Sequence, residues 1–203
     1  QSLNQWLASV GAAGKNTIAK VQSLGDAYAT LQTVANGVAG DGASLSLAQL
    51  SALGVTGLSD ASAALVSTVL DGKSAAAVDT LSKVQALADT AKAVVALADG
   101  VAGNGVGLTQ AQVSALGVSG VDSAAKLGLV NTALDSKGAS AADSVAKLQA
   151  VADAASAVQS LADGVAGNGG VLTQGQLSAL GVSGVPAAGL ALLSNVLDGK
   201  SAA

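Results

Sequence analysis

The chain has 203 residues, half of them hydrophobic, with 9 basic and 13 acidic side chains and a formal net charge of -4. Every base is Lys and every acid is Asp; Arg, Glu, His, Cys, Met and Phe are absent. That inventory excludes thiolate and imidazole chemistry and disulfides, and it lacks the basic field and bidentate Arg donors that nucleic-acid recognition uses.

The apolar content is Ala, Val and Leu, with aromatic rings only at Trp6 and Tyr28, so thin cores are expected rather than large ligand cavities. Leu3, Trp6 and Leu7 lie 63 positions before Val66, Val69 and Leu70, which places the first residues inside a repeated unit. A long helix follows, with Ile18, Val21, Leu24, Tyr28, Leu31 and Val34 on one face, closed by Gly37 in "VANGVAGDG". The next phrase, "LSLAQLSALGV" at 45–55, reads as a short helix with both ends specified. Ser46 and Gln49 form a capping box, Leu45 and Leu50 a hydrophobic staple, and Gly54 followed by Val55 a left-handed C-cap. A second helix starts near Ser59 and carries Leu65, Val66, Val69 and Leu70 in one stripe before "DGK" ends it. A third is expected from about Ala76 to Asp99, a length of roughly 36 Å. Leu81, Val84, Leu87, Ala91, Val94 and Leu97 form its apolar face, and Asp79 and Lys83 make a surface pair.

The unit then recurs. Thr109 and Gln112 cap the next short helix, Leu108 and Val113 staple it, and Gly117 with Val118 stops it. A second helix near Asp122 carries Leu129, Val130, Ala133 and Leu134, and a third runs from about Ala141 to Asp163 with an Asp143–Lys147 pair. In the last copy the same signals are Thr173 with Gln176, Leu172 with Leu177, Gly181 with Val182, and a helix near Pro186 carrying Leu192, Leu193, Val196 and Leu197. Gly54, Gly117 and Gly181 fix the spacing at 63 and 64.

The chain therefore reads as a partial repeat at 1–42 (helices two and three), full repeats at 43–105 and 106–169, and a partial repeat at 170–203 (helices one and two). The expected fold is all-α, tandem three-helix repeats of 63–64 residues in an elongated helical array. One unit alone buries little apolar area, so stacking of neighbours would supply the stability. Residues 164–197 hold no formal charge, yet Asn168, Thr173, Pro186, Asn195 and several glycines interrupt them, so no membrane span is expected. The opening "QSLNQWLASVG" lacks Met and the positive region of a signal peptide, which suggests a removed leader or a piece of a longer array.

The order of a short helix, a "LSALGVSGV" turn, a medium helix and a long helix resembles the helical tandem repeats of very large bacterial surface and biofilm adhesins, in which phrases similar to "LTQAQVSALGVSGV" recur. Single units also resemble the three-helix GA module of Gram-positive surface proteins. The resemblance spans essentially the whole chain and implies export to the cell surface, with a role in adhesion or in spacing other domains. Albumin binding by GA modules relies on larger side chains around the second helix. "SAALVSTVL" and "AAKLGLVNTAL" do not offer them, so that property is not carried over.

Catalysis would have to rest on Asp, Lys and Tyr28. Asp71, Asp99, Asp135, Asp163 and Asp198 fall at helix boundaries and read as end and solubility residues, so no catalytic, cofactor-binding or metal-ligating residue is assigned and no enzyme is expected. "AGDGAS" and "AGNGVG" offer one Asp or Asn each, too few oxygens for a calcium loop, and read as plain flexible turns. Gly103, Gly105 and Gly107 lack the preceding strand and the Lys-Ser/Thr of a phosphate loop. Trp6 replaces the Val or Ala of other units and reads as a core or edge filler.

The expected function is a non-enzymatic structural or adhesive repeat region, extracellular or at the cell surface, whose partners are neighbouring repeats or copies of itself. Faces of Ala, Ser, Thr and Gly carry little charge to oppose contact. A self-assembling subunit of a filament, sheath or surface layer is the alternative, and a binding module for a host or matrix protein is a third reading.

Overall fold

The computed structural model of the chain describes residues 2–201. Among them are ten α-helices and no strand: α1 Leu3–Ser9, α2 Ile18–Val34, α3 Leu47–Ala52, α4 Asp60–Asp71, α5 Leu81–Leu97, α6 Gln110–Ala115, α7 Ala124–Asp135, α8 Val145–Leu161, α9 Gln174–Ala179 and α10 Ala187–Leu197. Short 3-10 turns precede the long helices at Ala12–Gly14, Ala75–Val78 and Ala139–Ala141. The chain divides into two compact units. One comprises the residues up to Val95 together with Asp143–Val145; the other comprises Ala96–Ala142 and the residues from Ala146 on.

The short helices are built by the expected end signals. Ser46, Thr109 and Thr173 each accept the backbone N–H of the glutamine three residues on, and that glutamine's Oε1 accepts their own N–H at 2.9, 2.8 and 2.8 Å. Gly54, Gly117 and Gly181 take φ of +92°, +84° and +83°. The valine after each glycine returns its N–H to Leu50, Val113 or Leu177, at 3.0, 3.3 and 2.8 Å, closing a Schellman cap. Six residues could not hold a helix without both ends satisfied in this way.

The long helices are shorter than the sequence suggests. α5 and α8 have 17 residues each, about 25 Å. The expected starts near Ala76 and Ala141 lie instead in 3-10 turns. A hydroxyl fixes the true start where one can be traced: Thr80 Oγ1 accepts the N–H of Lys83 at 3.2 Å, as Thr17 does for Lys20 in α2. The middle helix expected near Asp122 begins at Ala124, because Ser123 caps the N–H of Lys126 while Asp122 pairs with the Lys126 ammonium at 2.8 Å. The Asp79–Lys83 pair also forms at 2.8 Å.

In the first unit, α2 packs against α1, α3 and α4 over Leu24, Leu31, Leu50, Leu65 and Leu70. Trp6 is fully buried there. Its indole N–H donates to the Leu53 carbonyl at 3.0 Å, and its ring lies 5.7 Å from that of Tyr28. In the second unit, Leu161, Leu172 and Leu177 form a cluster joined by Val158, Leu193 and Leu197. The stripe expected on α10 therefore splits: Leu193 and Leu197 face this core, while Leu192 is 69% and Val196 54% exposed. In α4 all four equivalent residues are buried.

Two glycines separate backbone effects from packing. A Cβ on either Gly117 or Gly128 meets nothing within 4 Å, but Gly117 has positive φ and Gly128 lies inside α7. Thermal or urea unfolding should show Gly128→Ala stabilising by about 0.5–1 kcal/mol and Gly117→Ala destabilising by about 1 kcal/mol or more.

Candidate functional site

The most elaborate polar arrangement in the chain is the glycine-rich connector between one long helix and the next short one. It occurs at 36–45, 99–108 and 163–172. The first element is an Asx turn: Asn36, Asp99 and Asp163 each accept, through Oδ1, the N–H two residues on, at 2.7, 2.8 and 2.8 Å. A side-chain pair then closes the loop across five residues. In the second and third copies an Asn amide, of Asn104 or Asn168, donates to the Asp carboxylate at 2.9 and 2.8 Å. The first copy reverses the polarity, and the Asn36 amide donates to Asp41 at 2.6 Å.

The loop is next tied to the end of the following middle helix. Gly37, Gly100 and Gly164 donate to the carbonyls of Lys73, Lys137 and Lys200 at 3.0, 2.9 and 2.9 Å. The N–H groups of Gly40, Gly103 and Gly167 donate to the carboxylates of Asp71, Asp135 and Asp198, and Asp135 also accepts from Gly105 at 3.0 Å. Finally the stapling leucine is held from the same helix. Leu45 and Leu172 donate their N–H to the buried hydroxyls of Ser67 and Ser194 at 2.8 and 2.9 Å. Leu108 donates to Asn131 at 2.9 Å and accepts the Asn131 amide at 3.0 Å.

These contacts revise the sequence reading of the connectors as plain flexible turns. Asp71, Asp135 and Asp198 are acceptors for loop N–H groups 30–32 residues back, rather than solubility residues. Their position held a clue: a carboxylate at a helix C-terminus opposes the helix dipole, so donors from elsewhere have to compensate it. Gly103 and Gly105 do cradle an anion, the chain's own Asp135. Ser67, Asn131 and Ser194 went unremarked in the sequence, although a polar residue at one repeat position inside an apolar helix was the available signal. Trp6 is a core filler, with the added hydrogen bond to Leu53.

The electrostatics follow the same contacts. The Asn104 amide, then the Val101 N–H, hold the Asp99 carboxyl below its ordinary value near 3.8, and Asn168 and Val165 do the same for Asp163. In the first copy the Ala43 N–H, then the Asn36 amide, lower Asp41. Among the described residues no three Asp side chains gather as a metal-binding group, and no helix is long and apolar enough to cross a membrane. Each connector and the end of the following middle helix satisfy one another's polar groups. No family model, curated protein or solved structure matches the chain.

Asp135→Ala leaves the Gly103 and Gly105 N–H groups without their acceptor and should cost about 2 kcal/mol in chemical unfolding. Hydrogen exchange at those two amides should accelerate in step.

The polarity reversal supplies a second test. Asn104→Asp alone sets two carboxylates face to face and should lower Tm, whereas adding Asp99→Asn recreates the first copy's order and should recover most of the loss. Because Asp99 and Asp163 have lowered folded values, their stabilisation is full above the unfolded value near 3.8 and is lost as pH falls through the folded one. Acid titration by NMR should therefore release the Val101 and Val165 amides below about pH 4.

Proposed function

We propose that the chain is a non-enzymatic structural and adhesive segment of a large secreted or cell-surface bacterial protein, built of tandem three-helix repeats of 63–64 residues. The observation that carries this reading is the connector. The same core of hydrogen bonds recurs at each copy, and where the side chains vary, Asn36–Asp41 against Asp99–Asn104 and Ser67 or Ser194 against Asn131, the bond is kept. A spacer needs defined joints, and these side chains are spent on joints. The resemblance to biofilm adhesin repeats supplies the location and the role in adhesion or spacing.

A second reading, a self-assembling subunit of an extracellular filament, sheath or surface layer, is favoured by the exposed Leu192 and Val196 of α10, whose equivalents in α4, Leu65 and Val69, are buried.

Antibody against this segment should label intact cells of the source organism; labelling only after permeabilisation would overturn the surface assignment. Deleting the segment from its parent protein should reduce attachment of cells to a surface. Restoration of attachment by an unrelated rigid spacer of equal length identifies a spacing role, and failure of that rescue identifies direct adhesion. Unchanged attachment after deletion contradicts both.

A further inference from the structure

The two compact units repeat one core at a constant offset of 127 positions, and two of its side chains differ in kind. Leu31, Leu50, Leu53, Val66 and Leu70 of the first unit correspond to Val158, Leu177, Leu180, Leu193 and Leu197 of the second. At the same offset Trp6 of α1 corresponds to Ala133 of α7. In the first unit the indole and all five aliphatic residues are fully buried. Tyr28, whose ring lies 5.7 Å from the indole, corresponds to Ala155. The second unit keeps the walls of that core and lacks both rings.

A cavity of about 290 Å³ lies among those retained walls. Its lining includes Ala133, Val158, Leu177, Leu180, Leu193 and Leu197, and among the described residues Thr132 is its one polar side chain. Ala133 and Leu177 are buried at it, whereas Val158, Leu180, Leu193 and Leu197 are only half-buried. A methyl group in place of a buried ring leaves a void unless the walls collapse, and an apolar void of about 150 Å³ already takes up benzene. Both substituted positions, Ala133 and Ala155, lie in the second full repeat at 106–169, so the change is internal to the chain.

One polar group of the site is left over as well. In the first unit the Trp6 indole N–H donates to the Leu53 carbonyl at 3.0 Å. Leu180 follows α9 as Leu53 follows α3, with φ -84° and ψ 0° against φ -67° and ψ -10°, so its carbonyl is aimed in a similar direction. No donor among the described residues reaches the Leu180 carbonyl.

We infer that this cavity is a binding site for a small neutral aromatic molecule carrying an N–H, of the indole class, with its ring among α7, α8, α9 and α10 and its N–H on the Leu180 carbonyl. The first unit supplies the template: the ring that belongs to the chain there is a separate molecule here. Aliphatic walls and one convergent polar group are what a small-ligand pocket needs. No charged side chain lines the cavity, so a ligand bearing a carboxylate or an ammonium would lose its hydration without a partner, and indole is preferred to free tryptophan. The site rests on the equivalence of the two cores and not on cell-surface location, so failure of surface labelling leaves it standing.

Indole titrated into the ¹⁵N-labelled 203-residue chain should shift the Ala133, Leu177 and Leu180 amides saturably. 1-Methylindole, which lacks the donor, should bind at least about fivefold more weakly. Ala133→Trp should abolish the indole response and raise Tm, because the chain then fills the void as Trp6 does in the first unit. Ala133→Val introduces the side chain of the corresponding Val69, should keep the helical circular dichroism, and should weaken indole binding by about tenfold. The valine variant decides the matter even where the tryptophan variant does not fold. Absence of a saturable response, shifts centred away from the cavity, equal binding of 1-methylindole, or indole binding unaffected by Ala133→Val would each overturn the site.

Discussion

The structure depends on one recurring interaction: an Asp at the C-terminal end of each middle helix accepting N–H groups from the glycine-rich connector 30–32 residues earlier in the chain. A connector of glycine and small residues has no side chains with which to hold itself, and its backbone donors would otherwise depend on water. A carboxylate at that helix end is disfavoured by the dipole unless it is given donors. Each group supplies what the other lacks. The Lys73, Lys137 and Lys200 carbonyls and the Ser67, Asn131 and Ser194 side chains extend the tie on either side, so that one helix end fixes both the middle and the exit of the loop.

From that tie follow the position of the stapling leucine, the start of the short helix, and the placement of the Schellman turn that the next long helix covers. Side chains as small as Ala and Val make a core only if helices approach closely and repeatably. Local devices set the approach here: caps at both ends of six-residue helices, a tied connector, and a glutamine that brackets a turn's backbone, as Gln85 does at Thr56. The scarcity of charge leaves few side chains for anything else, which is why the functional reading rests on assembly and spacing rather than on chemistry.

Much of this was legible in the sequence because the signals were local. Capping boxes, staples and Gly-Val stops act over six or seven residues, and each appears where "LTQAQVSALGV" and its relatives place it. The long-range acceptors were not legible, since nothing in the neighbourhood of Asp135 points to Gly103 and Gly105. The long helices were read too long because Ala-rich stretches continue a helical pattern through Ala75–Val78 and Ala139–Ala141, while Thr80 provides a cap that periodicity alone does not weigh. Exposure of Leu192 and Val196 was hidden for a similar reason: the stripe on α10 is the same as on α4, and only the neighbours differ.

The account's central claim is that the connectors are fixed joints rather than loose links. Backbone ¹⁵N relaxation of the Val101–Gly105 and Val165–Gly169 amides tests it most directly. The account predicts order parameters close to those of the flanking helices, about 0.85; values below about 0.6 would contradict it.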